Sequence, residues 1–134
     1  MTTDLKQKGS ILMVDDDQFL LDMYAMKFSE SGFEVQAMAS SEQALEYLRK
    51  GATPKIVLLD VMMPVVTGFD FLETIKKEGL ATGAVFIMLT NQGQQEDIEK
   101  AMALGADGYI IKASAIPSEV LQKTVEIAGK GKIT

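Results

Sequence analysis

The stretch Ile11–Leu20, "ILMVDDDQFL", decides how this chain folds, because four apolar residues lead directly into three consecutive aspartates. A short apolar run that ends in polar residues is typical of a strand buried on both faces. Asp17 stands where a helix N-cap is favoured, so we expect a helix over about residues 18–30. Neighbouring carboxylates repel one another at the end of a buried strand, and their presence there requires a chemical reason.

The alternation of apolar runs and helical segments continues along the rest of the chain. Four more strands are predicted, at residues 33–39, 55–60, 84–90 and 108–111, and each is followed by a helical segment. Ser40 and Gln43 resemble a capping box before the second helix, and Pro117 suits the first turn of the last one. Five such β-α units with nearly continuous apolar strands predict an α/β fold with a parallel sheet covered on both faces.

The composition limits where the protein works and what it binds. The chain has 134 residues, no cysteine and a formal net charge of −6. Its apolar runs are too short to cross a membrane, and residues 1–10 lack the apolar segment of a signal peptide. We therefore expect a cytoplasmic protein with no membrane association and no direct nucleic-acid binding.

The absence of histidine and cysteine excludes several kinds of chemistry. A Ser-His-Asp triad, a Cys-His pair and an ordinary zinc site all need one of these residues. The available groups are carboxylates, hydroxyls, lysines and backbone amides. Oxygen ligands alone favour a hard cation such as Mg²⁺ or Ca²⁺.

Polar residues stand at the carboxyl ends of four of the predicted strands. In open α/β sheets the ligand site lies outside the carboxyl ends of the strands, and right-handed crossovers bring strands one, three and four together. We therefore expect one crevice to contain the polar residues at these ends: Asp15, Asp16, Asp60, Thr90 and Lys112.

Such a crevice suits a phosphoryl group. A divalent cation would hold the carboxylates together, Lys112 adds a positive charge and Thr90 adds a hydroxyl donor. A carboxylate can itself attack phosphorus and form an aspartyl phosphate. Asp60 is the candidate nucleophile because it stands alone at the end of its strand, which leaves Asp15 and Asp16 to hold the metal.

Four motifs occur in the order found in one family: "MVDDD" (13–17), "IVLLDVMMP..TGFDFL" (56–72), "IMLTN" (87–91) and "ALGADGYIIKA" (103–113). Over residues 9–129 the chain resembles the response-regulator receiver domain, the CheY-like phosphoacceptor of bacterial two-component signalling. The resemblance implies a flavodoxin-like (βα)5 doubly wound sandwich with strand order 2-1-3-4-5. Residues 1–8 would then be a flexible N-terminus, and residues 130–134 a flexible tail or the start of a linker.

The resemblance also implies a metal site and a phosphoacceptor. Asp15 and Asp16 would bind Mg²⁺, and Asp60 would be both the phosphoacceptor and a metal ligand. Met62 would offer its backbone carbonyl to the same ion. Two positions vary in this family and tune the lifetime of the phosphoryl group. In this chain they are occupied by Met62 and Gln92.

Three further residues complete the site that the resemblance implies. Thr90 would hydrogen-bond the phosphoryl group, Lys112 would pair with it, and Tyr109 would be the aromatic switch that turns inward as Thr90 moves. The chain departs from the family at Ala113, where a proline usually follows the lysine. Either the peptide bond there is trans and the loop is rebuilt, or strain is stored beside the site.

The implied function is a signalling switch, not an enzyme that turns over external substrates. A sensor histidine kinase or a histidine phosphotransfer protein would supply the phosphoryl group, and the chain would promote its own phosphorylation and dephosphorylation. The output would pass through the face of the fourth helix, fifth strand and fifth helix to an unknown protein target or a second copy of the chain. The alternative is a receiver-like interaction module that works without phosphorylation.

Other phosphate-handling families fit less well. Haloacid-dehalogenase phosphohydrolases share a D-x-D-x-[TV] motif, but Phe19 stands at its last position here. The chain has no P-loop motif, and aspartates would repel the phosphate of a flavodoxin cofactor. Most of the nine methionines are expected in the core, including Met23 and Met26 of the first helix; core packing is also favoured for Met102, although it is the one that could touch a partner.

Overall fold

Strands and helices alternate in the computed structural model, which describes residues 9–61, 63, 66–90, 95–111 and 116–131. The strands are β1 (Ser10–Val14), β2 (Glu34–Met38), β3 (Ile56–Asp60), β4 (Val85–Thr90) and β5 (Gly108–Ile111). The helices are α1 (Gln18–Glu30), α2 (Ser41–Arg49), α3 (Gly68–Glu78), α4 (Gln95–Ala103) and α5 (Pro117–Gly131). Every predicted element is present, with ends within about two residues of those expected, the usual uncertainty of helix and strand ends.

The strands form one parallel sheet in the order β2-β1-β3-β4-β5. This confirms the predicted flavodoxin-like (βα)5 fold. The register pairs Val14 with Leu59, Asp60 with Leu89 and Thr90 with Ile111. Because the strands are parallel, the polar residues that end β1, β3 and β4 emerge at the same edge of the sheet.

Two apolar layers cover the sheet, one on each face. The first is built from α2, α3 and α4 over one set of alternating strand residues, including Leu12, Val57 and Phe86. The second is built from α1 and α5 over the other set, including Ile11, Leu58 and Ile87. β1, β3 and β4 are therefore buried on both sides, which explains why their sequences are apolar without alternation.

The helix α1 exposes apolar side chains that the sequence placed in the core. Its buried face consists of Leu21, Tyr24 and Phe28. Met26 lies outside this stripe and is 64% exposed, so its predicted core position is wrong, and Met23 is only half-buried. Helical spacing gives the reason, because residues 21, 24 and 28 share one face and residue 26 points away from it.

Local hydrogen bonds explain where the helices begin. The Asp17 side chain accepts the backbone N–H of Leu20, and the Ser40 hydroxyl accepts those of Glu42 and Gln43, so both residues cap their helices as predicted. α3 starts with a full capping box between Thr67 and Asp70, a T-x-x-D pattern that the sequence analysis overlooked.

The last helix is longer than the sequence predicted. α5 begins at Pro117, as predicted, and continues to Gly131, into the segment expected as a tail. Residues 1–8 and 132–134 lie outside the described residues, so what the sequence predicts for them stays a prediction. No helix in the described part of the chain is long and apolar enough to cross a membrane.

Candidate functional site

Three carboxylates meet at the carboxyl edge of the sheet. One oxygen from each of Asp15, Asp16 and Asp60 lies within 4.8 Å of the others. Asp15 and Asp60 are 3% and 4% exposed, whereas Asp16 is exposed to solvent. The structure thus brings together the three aspartates among the four residues that the sequence assigned to a metal site.

The backbone around the aspartates fixes their positions. The N–H of Asp15 donates to the carbonyl oxygen of Met38 at 3.2 Å, which continues the pairing of β1 with β2 by one residue. The N–H of Asp17 donates to Oδ1 of Asp15 at 2.9 Å, so the turn into α1 orients this carboxylate. Asp60 is the last residue of β3, and the next N–H, from Val61, bonds to the carbonyl oxygen of Leu89.

The donor set fits a hard divalent cation. Mg²⁺ takes oxygen ligands at about 2.0–2.1 Å in an octahedron, so two of its ligand atoms lie about 2.9–4.2 Å apart. The three carboxylate oxygens, all within 4.8 Å of one another, lie close to that spacing. Carboxylates this close destabilise one another in their charged form, and a shared cation relieves the repulsion. The cluster is therefore compatible with Mg²⁺.

Thr90 connects this edge to Tyr109. Thr90 ends β4 and is 1% exposed. Its side chain is hydrogen-bonded to the phenol of Tyr109, which is half-buried on β5 and packs against the apolar layer of α2, α3 and α4. Burial raises the pKa of Tyr109, the negative charge of Asp97 on α4 raises it further, and the bond to Thr90 lowers it. The phenol is therefore protonated at neutral pH.

Several residues of the predicted site fall outside the described part of the chain. These are the candidate phosphoryl partner Lys112, the candidate carbonyl ligand Met62, and two positions noted in the sequence, Gln92 and Ala113. Their roles stay predictions. Ile111, the residue before Lys112 in the sequence, ends β5 at the same edge of the sheet as the carboxylates.

Gly68 supports Asp60 in a way that the sequence analysis missed. A Cβ atom at this position would lie 2.8 Å from Cα of Val61 and closer still to the carbonyl oxygen of Asp60. The N–H of Gly68 also donates to the carbonyl oxygen of Val61 at 2.9 Å. The first turn of α3 thus rests directly on the backbone of the candidate phosphoacceptor. Glycine at the start of a helix was the only available signal.

Known proteins are similar to this chain in both fold and sequence. Residues 11–126 match the response regulator receiver domain family. Response regulator SaeR of Staphylococcus aureus is 35% identical over 102 residues, which cover 76% of this chain and 43% of SaeR. The chain therefore spans less than half the length of this curated relative.

Solved structures agree with this match. Chemotaxis protein CheY4 of Vibrio cholerae is 28% identical, with a TM-score of 0.81 over 88% of this chain and 97% of that one. A CheY-like receiver domain protein of Methanospirillum hungatei is 29% identical, with a TM-score of 0.80 over 91% of this chain and 94% of that one. This chain belongs to the response regulator receiver domain family, whose members are signalling switches of two-component systems and not metabolic enzymes.

Gly68→Ala tests the close contact under Asp60. The added methyl group overlaps the backbone of Asp60 and Val61, so we expect the free energy of unfolding to fall by about 1–3 kcal/mol and the amide resonance of Asp60 to shift. The control is Gly83→Ala, because a Cβ there meets no heavy atom within 4 Å. Urea unfolding and amide NMR measure both variants, and equal stability of the two would contradict the proposed contact.

The raised pKa of Tyr109 predicts how stability depends on pH. The folded state holds the phenolic proton more tightly than the unfolded state, whose tyrosine titrates near pH 10. The resulting stabilisation is constant below about pH 10 and is lost as the pH rises through the folded pKa. Urea unfolding between about pH 9 and pH 11 should show wild type losing stability relative to Tyr109→Phe. Parallel pH profiles for the two proteins would contradict the raised pKa.

Proposed function

We propose that this chain is a phosphorylation-controlled switch in which Asp60 accepts a phosphoryl group from a phosphohistidine of a partner protein. The observation that carries the proposal is the cluster of Asp15, Asp16 and Asp60 at the carboxyl edge of the sheet. Thr90, the last residue of β4, lies at the same edge. The functional unit is residues 9–129, and α5 continues two residues beyond it, to Gly131. The protein works in the cytoplasm.

The metal site is formed by oxygen atoms alone. Asp15, Asp16 and Asp60 hold Mg²⁺ through their carboxylates, and Met62 holds it through its backbone carbonyl. When bound, Mg²⁺ neutralises negative charge that builds up between the carboxylates and the incoming phosphoryl group. Calcium is a weaker candidate, because it takes six to eight oxygen ligands and this cluster supplies few.

The chain's own residues carry out the transfer. An oxygen of Asp60 forms a bond to phosphorus as the bond between phosphorus and the histidine nitrogen breaks, and the imidazole leaves with the donor. The hydroxyl of Thr90 donates a hydrogen bond to the transferred group, and the ammonium of Lys112 pairs with its charge. The chain also promotes its own dephosphorylation: a water oxygen bonds to the same phosphorus, the bond between phosphorus and the Asp60 oxygen breaks, and inorganic phosphate leaves.

The switch begins at Thr90. To donate to the phosphoryl group, the Thr90 hydroxyl gives up its bond with Tyr109. The tyrosine ring then turns inward, into the space that Thr90 leaves. Phosphorylation thus acts on a local contact and biases two arrangements of the neighbouring face.

The helix α4 is suited to respond, because it is loosely attached. Ala101 is its one buried residue, whereas α3 buries Phe71, Leu72 and Ile75. Helices with few buried contacts move at low cost. The face formed by α4, β5 and α5 is therefore the proposed output surface, which binds a protein target or a second copy of the chain.

The phosphoryl donor, a sensor histidine kinase or a histidine phosphotransfer protein, docks beside the carboxylates. α1 starts directly after them, at Gln18, and its first turn carries Phe19, which is 72% exposed. Together with Met26 and with Pro117 at the start of α5, this side chain lines an exposed apolar groove along α1. An exposed aromatic side chain that a partner can bury is a typical binding anchor.

Asp60→Asn tests the assignment of the phosphoacceptor. Incubation with acetyl phosphate and Mg²⁺ should add one phosphoryl group to wild type and none to Asp60→Asn, measured by mass spectrometry of the intact protein. Asp17→Asn is the matched control, because asparagine caps helices as well as aspartate does and the same charge is removed nearby. A phosphoryl adduct on Asp60→Asn, or none on wild type, would favour the phosphorylation-independent interaction module.

Phe19→Ala tests where the donor docks. We expect phosphotransfer from the partner phosphohistidine to slow by about tenfold, because a contact worth about 1.4 kcal/mol is lost from the docked complex. Phosphorylation by acetyl phosphate should not change, since this small donor makes no such contact. The control is Met102→Ala, which removes an exposed apolar side chain from α4. Equal slowing by both variants would place the docking surface elsewhere.

A further inference from the structure

The side chain of Lys100 links α4 to α3. Its Nζ lies over the ring of Phe69, 4.7 Å from the ring centre. An ammonium group within about 6 Å of an aromatic ring centre is attracted by the negative charge on the ring face. Phe69 is half-buried and packs against the apolar layer of α2, α3 and α4, whereas Lys100 is exposed. The contact therefore joins a ring that packing holds in place to a helix that is loosely attached.

This contact is a large part of what holds α4 against its neighbours. Ala101 is the buried residue of the helix, and it brings only one methyl group to the core. Burial of a methyl group and an exposed cation–π contact stabilise a protein by similar amounts. Loss of the Lys100 contact should therefore weaken the attachment of α4 while leaving the core intact.

The backbone connects the Phe69 ring to the candidate phosphoacceptor. Phe69 directly follows Gly68, and a Cβ atom on Gly68 would overlap the carbonyl oxygen of Asp60. The first turn of α3, which carries the ring, is therefore positioned by the backbone of Asp60. Contacts thus run from Asp60 through Gly68 to Phe69, and from there to α4. This route is separate from the one through Thr90 and Tyr109.

We propose that the contact between Lys100 and Phe69 holds α4 in its resting position and thereby sets how readily the protein switches. The Thr90 side chain is bonded to Tyr109, which is the arrangement expected without a phosphoryl group, and the Lys100 contact is present in the same arrangement. If α4 leaves this position, the contact breaks, so the contact favours the resting state. The inference rests on the proposed function, because it assumes that α4 moves when Asp60 is modified.

The chain offers matched variants of this contact. Lys100→Met keeps a long side chain and removes the charge, whereas Lys100→Arg keeps a cation that can lie over the ring. Phe69→Leu removes the aromatic face and keeps an apolar side chain at the core. Lys77→Met is the control, because it removes the same charge from an exposed position on α3.

The experiment measures how tightly the full chain binds beryllofluoride, which takes the place of the phosphoryl group, at saturating Mg²⁺ by amide NMR. We expect Lys100→Met and Phe69→Leu each to bind it about two- to fivefold more tightly than wild type, because the resting state loses one exposed cation–π contact. The double variant should match either single variant, since both changes remove the same contact. Lys100→Arg and Lys77→Met should bind like wild type.

A second reading comes from the same spectra before beryllofluoride is added. Removal of the contact raises the population of the switched arrangement, so the α4 resonances of Lys100→Met should already lie partway toward those of the bound wild type. Lys100 is exposed, so this variant decides the matter alone if Phe69→Leu does not fold.

The outcomes separate this inference from the proposed function. If wild type binds beryllofluoride and Lys100→Met binds it equally tightly, the role of the contact is wrong and the switch stands. Weaker binding by Lys100→Met would place the contact in the phosphorylated arrangement and overturn the inference. A double variant whose effect is the product of the two single effects would show that the residues act separately, which also overturns it. If wild type does not bind beryllofluoride, the proposed function fails and the inference fails with it.

Discussion

Repulsion between carboxylates at the edge of a buried sheet is the constraint on which the rest of this structure depends. Asp15 and Asp60 are almost fully buried, and Asp16 lies beside them with an oxygen within 4.8 Å of both. Charges interact more strongly away from water, so this arrangement is stable when positive charge is shared among the three. This repulsion occurs at the carboxyl edge of the sheet, which is where a doubly wound fold binds its ligand. The proposed metal binding and phosphoryl transfer both depend on this cluster of carboxylates.

The fold has a rigid part, built on the central strands, and a more loosely packed part, which consists of β5 and α4. The central strands β1, β3 and β4 are buried on both faces, and Gly68 lets α3 rest on the backbone of Asp60. This support holds the carboxylates at fixed positions. β5 and α4 lie to one side, where Tyr109 is half-buried and α4 buries little. In the proposed switch, phosphorylation on the rigid part shifts the looser part through Thr90 without disturbing the core.

The sequence predicted the fold well because local patterns determine it. Apolar runs defined the strands, and the cap at Asp17 and the proline at 117 marked two helix starts, all as observed. The same reasoning placed the three aspartates together, because parallel strands end at a common edge. It misplaced Met26, since an apolar residue in a helix can face solvent when the buried stripe is already filled. The contacts of Lys100 and Gly68 could not be predicted, because they join segments that only the tertiary fold brings together.

The coupling between the carboxylates and Tyr109 is the central claim, and amide NMR tests it most directly. Labelled protein is titrated first with Mg²⁺ and then with beryllofluoride, which stands in for the phosphoryl group on Asp60. We expect Mg²⁺ to shift the resonances of Asp15, Asp16 and Asp60, and beryllofluoride to extend the shifts through Thr90 to Tyr109 and α4. Shifts that stop at the carboxylates, or no shifts at all, would contradict the account.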